Sequence, residues 1–203
     1  KMQKIQKGEK LQKLTVFAVP SGNFGNITAG LYAQAMGLPV ERFIAATNAN
    51  DVFPKFLASG QFTPTDSRQT LSNAMDVGNP SNFVRMKQLY PTMDEMRSHV
   101  WSQSFSDEQT RAALHEVYKK YQYVCDPHGA VAYAGLVAYR RQNSLAHSGA
   151  QQVGIFLETA HPAKFPETVE AVTGVPVPVP VELQKYAALE KKTVKITADF
   201  NDF

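Results

Sequence analysis

Leu14-Thr-Val-Phe-Ala-Val-Pro-Ser-Gly-Asn-Phe-Gly-Asn26 is the stretch whose reading decides the fold. Leu14 to Val19 is short, apolar and β-branched and ends at Pro20, the pattern of a buried strand. Ser21 to Asn26 is turn chemistry, and Ile27 to Met36 is rich in alanine and other helix formers until Gly37 stops it. Arg42-Phe-Ile-Ala-Ala-Thr47 then reads as a second strand. Strand, loop, helix and strand in this order form the repeating unit of a parallel sheet.

Working outward, Asn50 or Asp51 is placed to cap a short helix through Leu57. Gly60 to Gly78 breaks into loop chemistry at Pro64, Thr65, Asp66 and Ser67, and Asn79-Pro80 predicts a cap and first turn for a helix through Leu89. Ser106 with Gln109 three residues on is a capping box, opening a helix through Tyr121. Ala130 to Arg141 predicts a packed helix, Val153-Gly-Ile-Phe-Leu157 a third buried strand, and Ala163 to Val172 another helix. Val175-Pro-Val-Pro-Val-Pro180 alternates proline and favours an extended surface segment, and Leu183 to Lys191 predicts a closing helix. The fold class that follows is α/β, a mainly parallel sheet with helices on both faces.

The 203 residues are 43% hydrophobic and 19% charged, which excludes an extended or disordered polymer. Twenty-one basic against eighteen acidic side chains leave +3, too mild to argue for nucleic acid. A single cysteine, Cys125, excludes a disulfide framework and a cysteine-rich zinc module. No apolar run approaches the ~20 residues of a membrane helix, and no signal-peptide core follows the basic start, so a reducing cytoplasm is the expected setting. Lys1, Lys4, Lys7, Lys10 and Lys13 recur every third residue, as on the solvated face of a helix whose earlier turns lie upstream. The chain is therefore expected to be the second part of a longer polypeptide.

In such sheets ligands bind beyond the carboxyl ends of the strands, which singles out Ser21 to Asn26, Asn48 to Asp51 and Glu158 to Pro162. Gly22 and Gly25 supply backbone angles closed to other residues, so that consecutive N–H groups turn toward one point. The helix that follows adds the positive end of its dipole, and Asn23 and Asn26 add side-chain donors, together a seat for a phosphate. Neither the P-loop spacing nor the three-glycine dinucleotide fingerprint is present. Taken alone, two glycines between a strand and a helix also make an ordinary tight connection, so both readings stay open at this point.

Val19-Pro-Ser-Gly-Asn-Phe-Gly-Asn-Ile-Thr-Ala-Gly30 resembles the phosphate loop of threonine synthase, a pyridoxal-phosphate enzyme family of fold type II. Arg42 to Asn48, Leu71-Ser-Asn-Ala-Met-Asp76, Ser102-Gln-Ser-Phe-Ser-Asp107 and Thr159-Ala-His-Pro-Ala-Lys-Phe165 are similar to further stretches of that family, in its order. The last is the most specific, because serine or threonine dehydratases and cysteine synthases share the glycine loop without it. The resemblance implies that residues 1–203 are the carboxyl-terminal half of such an enzyme, a portion of its cofactor-binding domain. It implies conversion of O-phospho-L-homoserine and water into L-threonine and phosphate with pyridoxal 5'-phosphate as cofactor. Gly22, Asn23, Phe24, Gly25 and Asn26 would bind the cofactor phosphate, and Thr159 would meet the pyridine nitrogen. The family's Schiff-base lysine belongs to the amino-terminal half in a motif this chain does not contain, so the chain alone is expected to be inactive and to need that half. Another fold type II lyase is the alternative enzyme, and a non-catalytic module binding a phosphorylated ligand is the alternative of a different class.

The remaining candidates each have a plainer role beside them. Arg85, within the polar stretch Ser72, Asn73, Asp76, Asn79, Ser81 and Asn82, can clamp a substrate carboxylate or phosphate, or be an exposed helix side chain. Lys164 follows His161-Pro162 but matches the family's Ala-His-Pro-Ala-Lys motif, not its Schiff-base lysine. None of His99, His115, His128, His147 and His161 has the spacing of a metal pair, and no metal is expected. Cys125 ahead of Asp126-Pro127-His128 invites a nucleophile, but a lone cysteine there reads as buried and inert. Trp101 with Tyr118, Tyr121 and Tyr123 reads as packing.

Overall fold

The computed structural model describes residues 15–143, 152–187, 189–197 and 199–202, so the lysine-rich stretch at 1–13 lies outside the described residues. A four-stranded sheet runs in the order β3-β2-β1-β4, from β1 (Thr15–Pro20), β2 (Arg42–Thr47), β3 (Val100–Ser104) and β4 (Val153–Phe156), every pair parallel. Val19, Phe43 and Ala45 point to one face, where they pack with α1 (Gly25–Ala35), α2 (Val52–Ser59), α3 (Phe83–Leu89) and α4 (Met93–His99). The alternate residues Val16, Ala18 and Ile44 meet Ala132, Leu136 and Tyr139 of α6 (Pro127–Asn143) on the other. Against α6 lie α5 (Asp107–Tyr121) and, through Val169, α7 (Pro166–Thr173). The segment 174–180 forms neither helix nor strand, α8 (Val181–Ala187) follows it, and no described helix is long and apolar enough to cross a membrane.

The strand order fixes where a ligand can sit. From β1 the chain steps outward to β2 and β3 over the α1 face, then returns over the α6 face to place β4 on the far side of β1. Connections leaving β1 and β4 therefore diverge to opposite faces, and the crevice between them is the switch point of a parallel sheet.

The structure departs from the sequence reading at several elements. β3 was not expected: α4 runs into it without a glycine or proline between His99 and Val100, and Ser102, Gln103 and Ser104 hide its character. α4 itself carries a complete Thr92–Glu95 capping box. α3 begins at Phe83 because Pro80 starts a separate turn, Phe83 N–H donating to Pro80 O at 3.2 Å. β4 is not a buried strand; it is an edge, with Val153 and Ile155 each 37% exposed. The helix expected over Ala163 to Val172 splits into a turn of 3-10 helix at Pro162–Lys164 and α7, since Pro166 cannot continue a preceding helix. The closing helix starts at Val181 and ends at Ala187, short of Lys191.

Candidate active site

At the end of β1, Ser21 is pinned by its N–H on Ala46 O (2.8 Å) and its hydroxyl on Val19 O (2.8 Å). The next loop amide with an acceptor among the described residues is that of Thr28, on Phe24 O at 3.0 Å. No described side chain caps α1, and the residues from Gly22 to Ile27, whose N–H groups have no acceptor among the described residues, line a cleft of ≈ 280 Å³. The positive φ that shapes this cup belongs to Phe24 (φ 61°), and neither Gly22 nor Gly25 adopts one, contrary to the sequence expectation. A left-handed residue followed by a helical one turns successive N–H groups into a concavity. Phe24 is held there by its buried ring, which packs tilted against Phe53 at 4.7 Å between centroids, in a cluster with Phe56, Phe62 and Phe83. That burial offsets the ~1–2 kcal/mol a left-handed L-residue costs.

Gly22 is needed for a different reason, because a Cβ on it would stand 2.5 Å from Met75 Cα. Ala74 and Met75 form the floor of the cup, and the long 60–78 loop that carries them is clamped by polar side chains. Asn48 Nδ2 donates to Asp76 Oδ1 (2.8 Å) and Thr70 Oγ1 (2.8 Å), and Asn50 Nδ2 donates to Arg68 O (2.9 Å). Thr70 hydroxyl donates to Asp76 Oδ1 at 2.7 Å, and Asp107 at the start of α5 accepts from Leu71 N–H at 3.1 Å.

Thr159 lies in the same cleft, beyond the end of β4, with its neighbours held from one buried residue. Asp126 N–H donates to Glu158 Oε1 (2.6 Å), and Asp126 Oδ2 accepts from Ala160 N–H (3.2 Å). The other oxygen, Oδ1, accepts from His128 N–H (2.7 Å) and Nδ1–H (2.5 Å), while His128 Nε2 accepts from Ala74 N–H (3.2 Å). Burial pushes Glu158 up to about 9, helped by Asp126, so it is a neutral acid at pH 7. Burial would raise Asp126 as well, but hydrogen bonds from His128 and Glu158 outweigh it and hold Asp126 below the ordinary carboxylate value. Of the two acids, Asp126 carries the charge and Glu158 the proton.

Residues 4–158 match the family described as pyridoxal-phosphate dependent enzyme. The chain belongs to the pyridoxal-phosphate dependent enzyme family. Residues 130–203 match the model described as threonine synthase, C-terminal. Threonine synthases of Haemophilus influenzae and Escherichia coli are 43% and 44% identical to it over 185 residues. Those matches cover 91% of this chain but only 41% of each relative, so the chain spans about two-fifths of their length. The crystal structure of the Escherichia coli threonine synthase superposes with a TM-score of 0.82 at 42% identity, covering 96% of this chain and 44% of that one. A PLP-bound threonine synthase from Brucella melitensis gives 0.73 at 31% identity, over 86% of this chain and 41% of that one. A tomato threonine deaminase, at 17% identity and 0.58, shares the fold.

Within this pyridoxal-phosphate dependent enzyme, the structure brings Gly22, Asn23, Phe24, Gly25, Asn26 and Thr159 to one cleft. Asn23 Oδ1 is committed to Ser81 N–H (2.6 Å) and hydroxyl (3.0 Å), which fixes its amide. Arg85 does not line the cleft; exposed on α3, it donates to Asn82 Oδ1 (2.9 Å), and Asn82 in turn donates to Asn23 O (2.9 Å). Asn48 and Asn50 point into the loop clamp, and Asp51 pairs with Lys55 at 2.9 Å without capping α2. His161 caps the 3-10 turn through Ala163 N–H (3.1 Å), and Lys164 lines an adjoining groove with Tyr123, the proline segment and Thr159, which also borders the cleft. Cys125 is fully buried and pushed up to about 12 by burial and by Glu158, an inert thiol. Sequence reasoning missed Asp126, His128 and Glu158; Asp-Pro-His ahead of a helix was the available signal, and it was spent on Cys125.

Proposed function

We propose that this chain is the carboxyl-terminal part of a threonine synthase, which as a whole converts O-phospho-L-homoserine and water into L-threonine and phosphate. The observation that carries the reading is the amide cup and Thr159 facing one cleft at the β1/β4 switch point. The residues present fit the phosphate of pyridoxal 5'-phosphate. Uncapped amides with the α1 dipole behind them attract a dianion, Gly22 offers no side chain to block it, and no carboxylate among the described residues lines the cleft. When bound, the cofactor supplies an electron sink for charge developing on the substrate.

Gly22 to Asn26 would hold the phosphate end, and the Thr159 hydroxyl would meet the ring nitrogen. A hydroxyl does not hold a proton on that nitrogen as a carboxylate would, which suits a reaction whose charge departs with a leaving group. Lys164, outside the cleft, is not assigned the Schiff-base role. The partner is the amino-terminal portion that the relatives possess, the substrate is O-phospho-L-homoserine, and the setting is the cytoplasm, in keeping with one buried thiol. Arg85 would reach substrate only if Asn82 released it, so its contribution is to orient Asn82 against the loop.

Joined to an amino-terminal portion from the family, the chain should bind pyridoxal phosphate stoichiometrically and release phosphate from O-phospho-L-homoserine as threonine forms. The chain alone should not turn over substrate. A joined, folded protein that takes up no pyridoxal phosphate overturns the reading.

A further inference from the structure

Asp126 does more than begin α6. Capping that helix engages its carbonyl, on Ala130 N–H (3.0 Å), and Oδ1, on His128 N–H (2.7 Å). Serine or asparagine would cap as well. Oδ2 and the imidazole serve no helix, yet both residues are buried, at 0% and 2% exposure. Their remaining bonds run to the two ends of the cleft. Oδ2 takes Ala160 N–H at 3.2 Å and the Asp126 N–H holds Glu158 at 2.6 Å, so the residues on either side of Thr159 share one anchor. A Cβ on Gly129 would collide with the Glu158 carboxyl, so the neutral acid is wedged against α6. In the other direction His128 donates from Nδ1 and accepts at Nε2 from Ala74, whose neighbour Met75 lies under Gly22. This pattern of partners requires the neutral imidazole with its proton on Nδ1.

We infer that Asp126 is a positioning residue: through His128 and Ala160 it ties the Thr159 loop to the floor of the amide cup and sets the span between them. A rigid ligand held at a phosphate and at a ring nitrogen needs that span fixed within ~0.5 Å. Hydrogen bonds give such a fixed length where the β4 edge, half exposed, cannot. The inference rests on the reading of the cleft as a pyridoxal-phosphate seat.

The test uses the joined holoenzyme and three variants. His128→Asn keeps a donor toward Asp126 and drops the acceptor for Ala74; His128→Gln places an acceptor near Nε2; Asp126→Ser keeps the cap and drops Oδ2. His128→Asn and Asp126→Ser should weaken pyridoxal-phosphate binding about tenfold, lower kcat more than they raise KM, and move the phosphorus-31 resonance of the bound cofactor. His128→Gln should restore most of the affinity. If His128→Asn loses thermal stability but keeps the wild-type dissociation constant and resonance, Asp126 and His128 only hold the helix start and the inference fails. If the unsubstituted holoenzyme binds no pyridoxal phosphate, the reading of the cleft itself fails and takes this inference with it.

Discussion

At the β1–α1 end of the cleft, position is set by contact between apolar groups and backbone: Phe24 in its ring cluster, Gly22 against Met75. At the β4 end it is set by buried polar groups, Asp126 holding both neighbours of Thr159 while β4 lies at the sheet edge. Steric contact is short-ranged and insensitive to pH, so the first end is expected to fail when volume changes. Charge and protonation govern the second, which should fail when a proton is gained or lost.

The sharpest challenge to the contrast is Phe24→Ala. It empties the ring's place among Phe53, Phe56 and Phe83 and should cost about 3–5 kcal/mol, read by urea unfolding. A loss below about 1 kcal/mol would mean the cup is not held by packing. Gly22→Ala comes next, since the new methyl meets Met75 backbone rather than a side chain that can swing away. It should cost about 1–3 kcal/mol at every pH, and pyridoxal-phosphate uptake by the joined protein should drop at least as steeply as for the His128 variant.

Glu158→Gln probes the opposite end. A carboxyl raised to about 9 when folded, from an ordinary value near 4.5, adds stability that is complete below the unfolded value. That contribution drains away as pH climbs between the two. An amide cannot ionise, so the variant should match wild type near pH 5 and gain relative stability steadily to pH 9, by parallel denaturant titrations. A pH-independent difference would remove Glu158 from the buried acid pair. The smallest effect is assigned to Gly25→Ala. Gly25 has no positive φ, and its added Cβ would sit 3.6 Å from Asn82 Nδ2, ordinary contact, so stability should hold or rise by up to ~1 kcal/mol. Strong destabilisation would restore the backbone-angle role expected of it from sequence.

Those two glycines show where sequence reading stops. Gly-Asn-Phe-Gly before a helix announced a turn with donors facing one point, and the turn is there. Which residue takes the left-handed angle was not legible, because Phe24 does so with its ring packed against Phe53, twenty-nine residues on. β3 escaped for a related reason: its polar residues look like loop until β2 lies beside them, with Ser102 hydroxyl on Ala45 O at 2.6 Å. Ser106 and Gln109, by contrast, fixed the start of α5 correctly, since both halves of a capping box lie within one turn.

Local chemistry, then, was determined by the residues themselves: β1, β2, α5 and the donor-rich loop all depend on neighbours within a few positions. The family resemblance added the pairing of that loop with Thr159. Tertiary structure alone decided that β4 sits beside β1 at the sheet edge and that Asp126, thirty-four residues from Ala160, holds the crevice between them. Strand order and buried hydrogen bonds arise from contacts distant along the chain, and no local spacing records those.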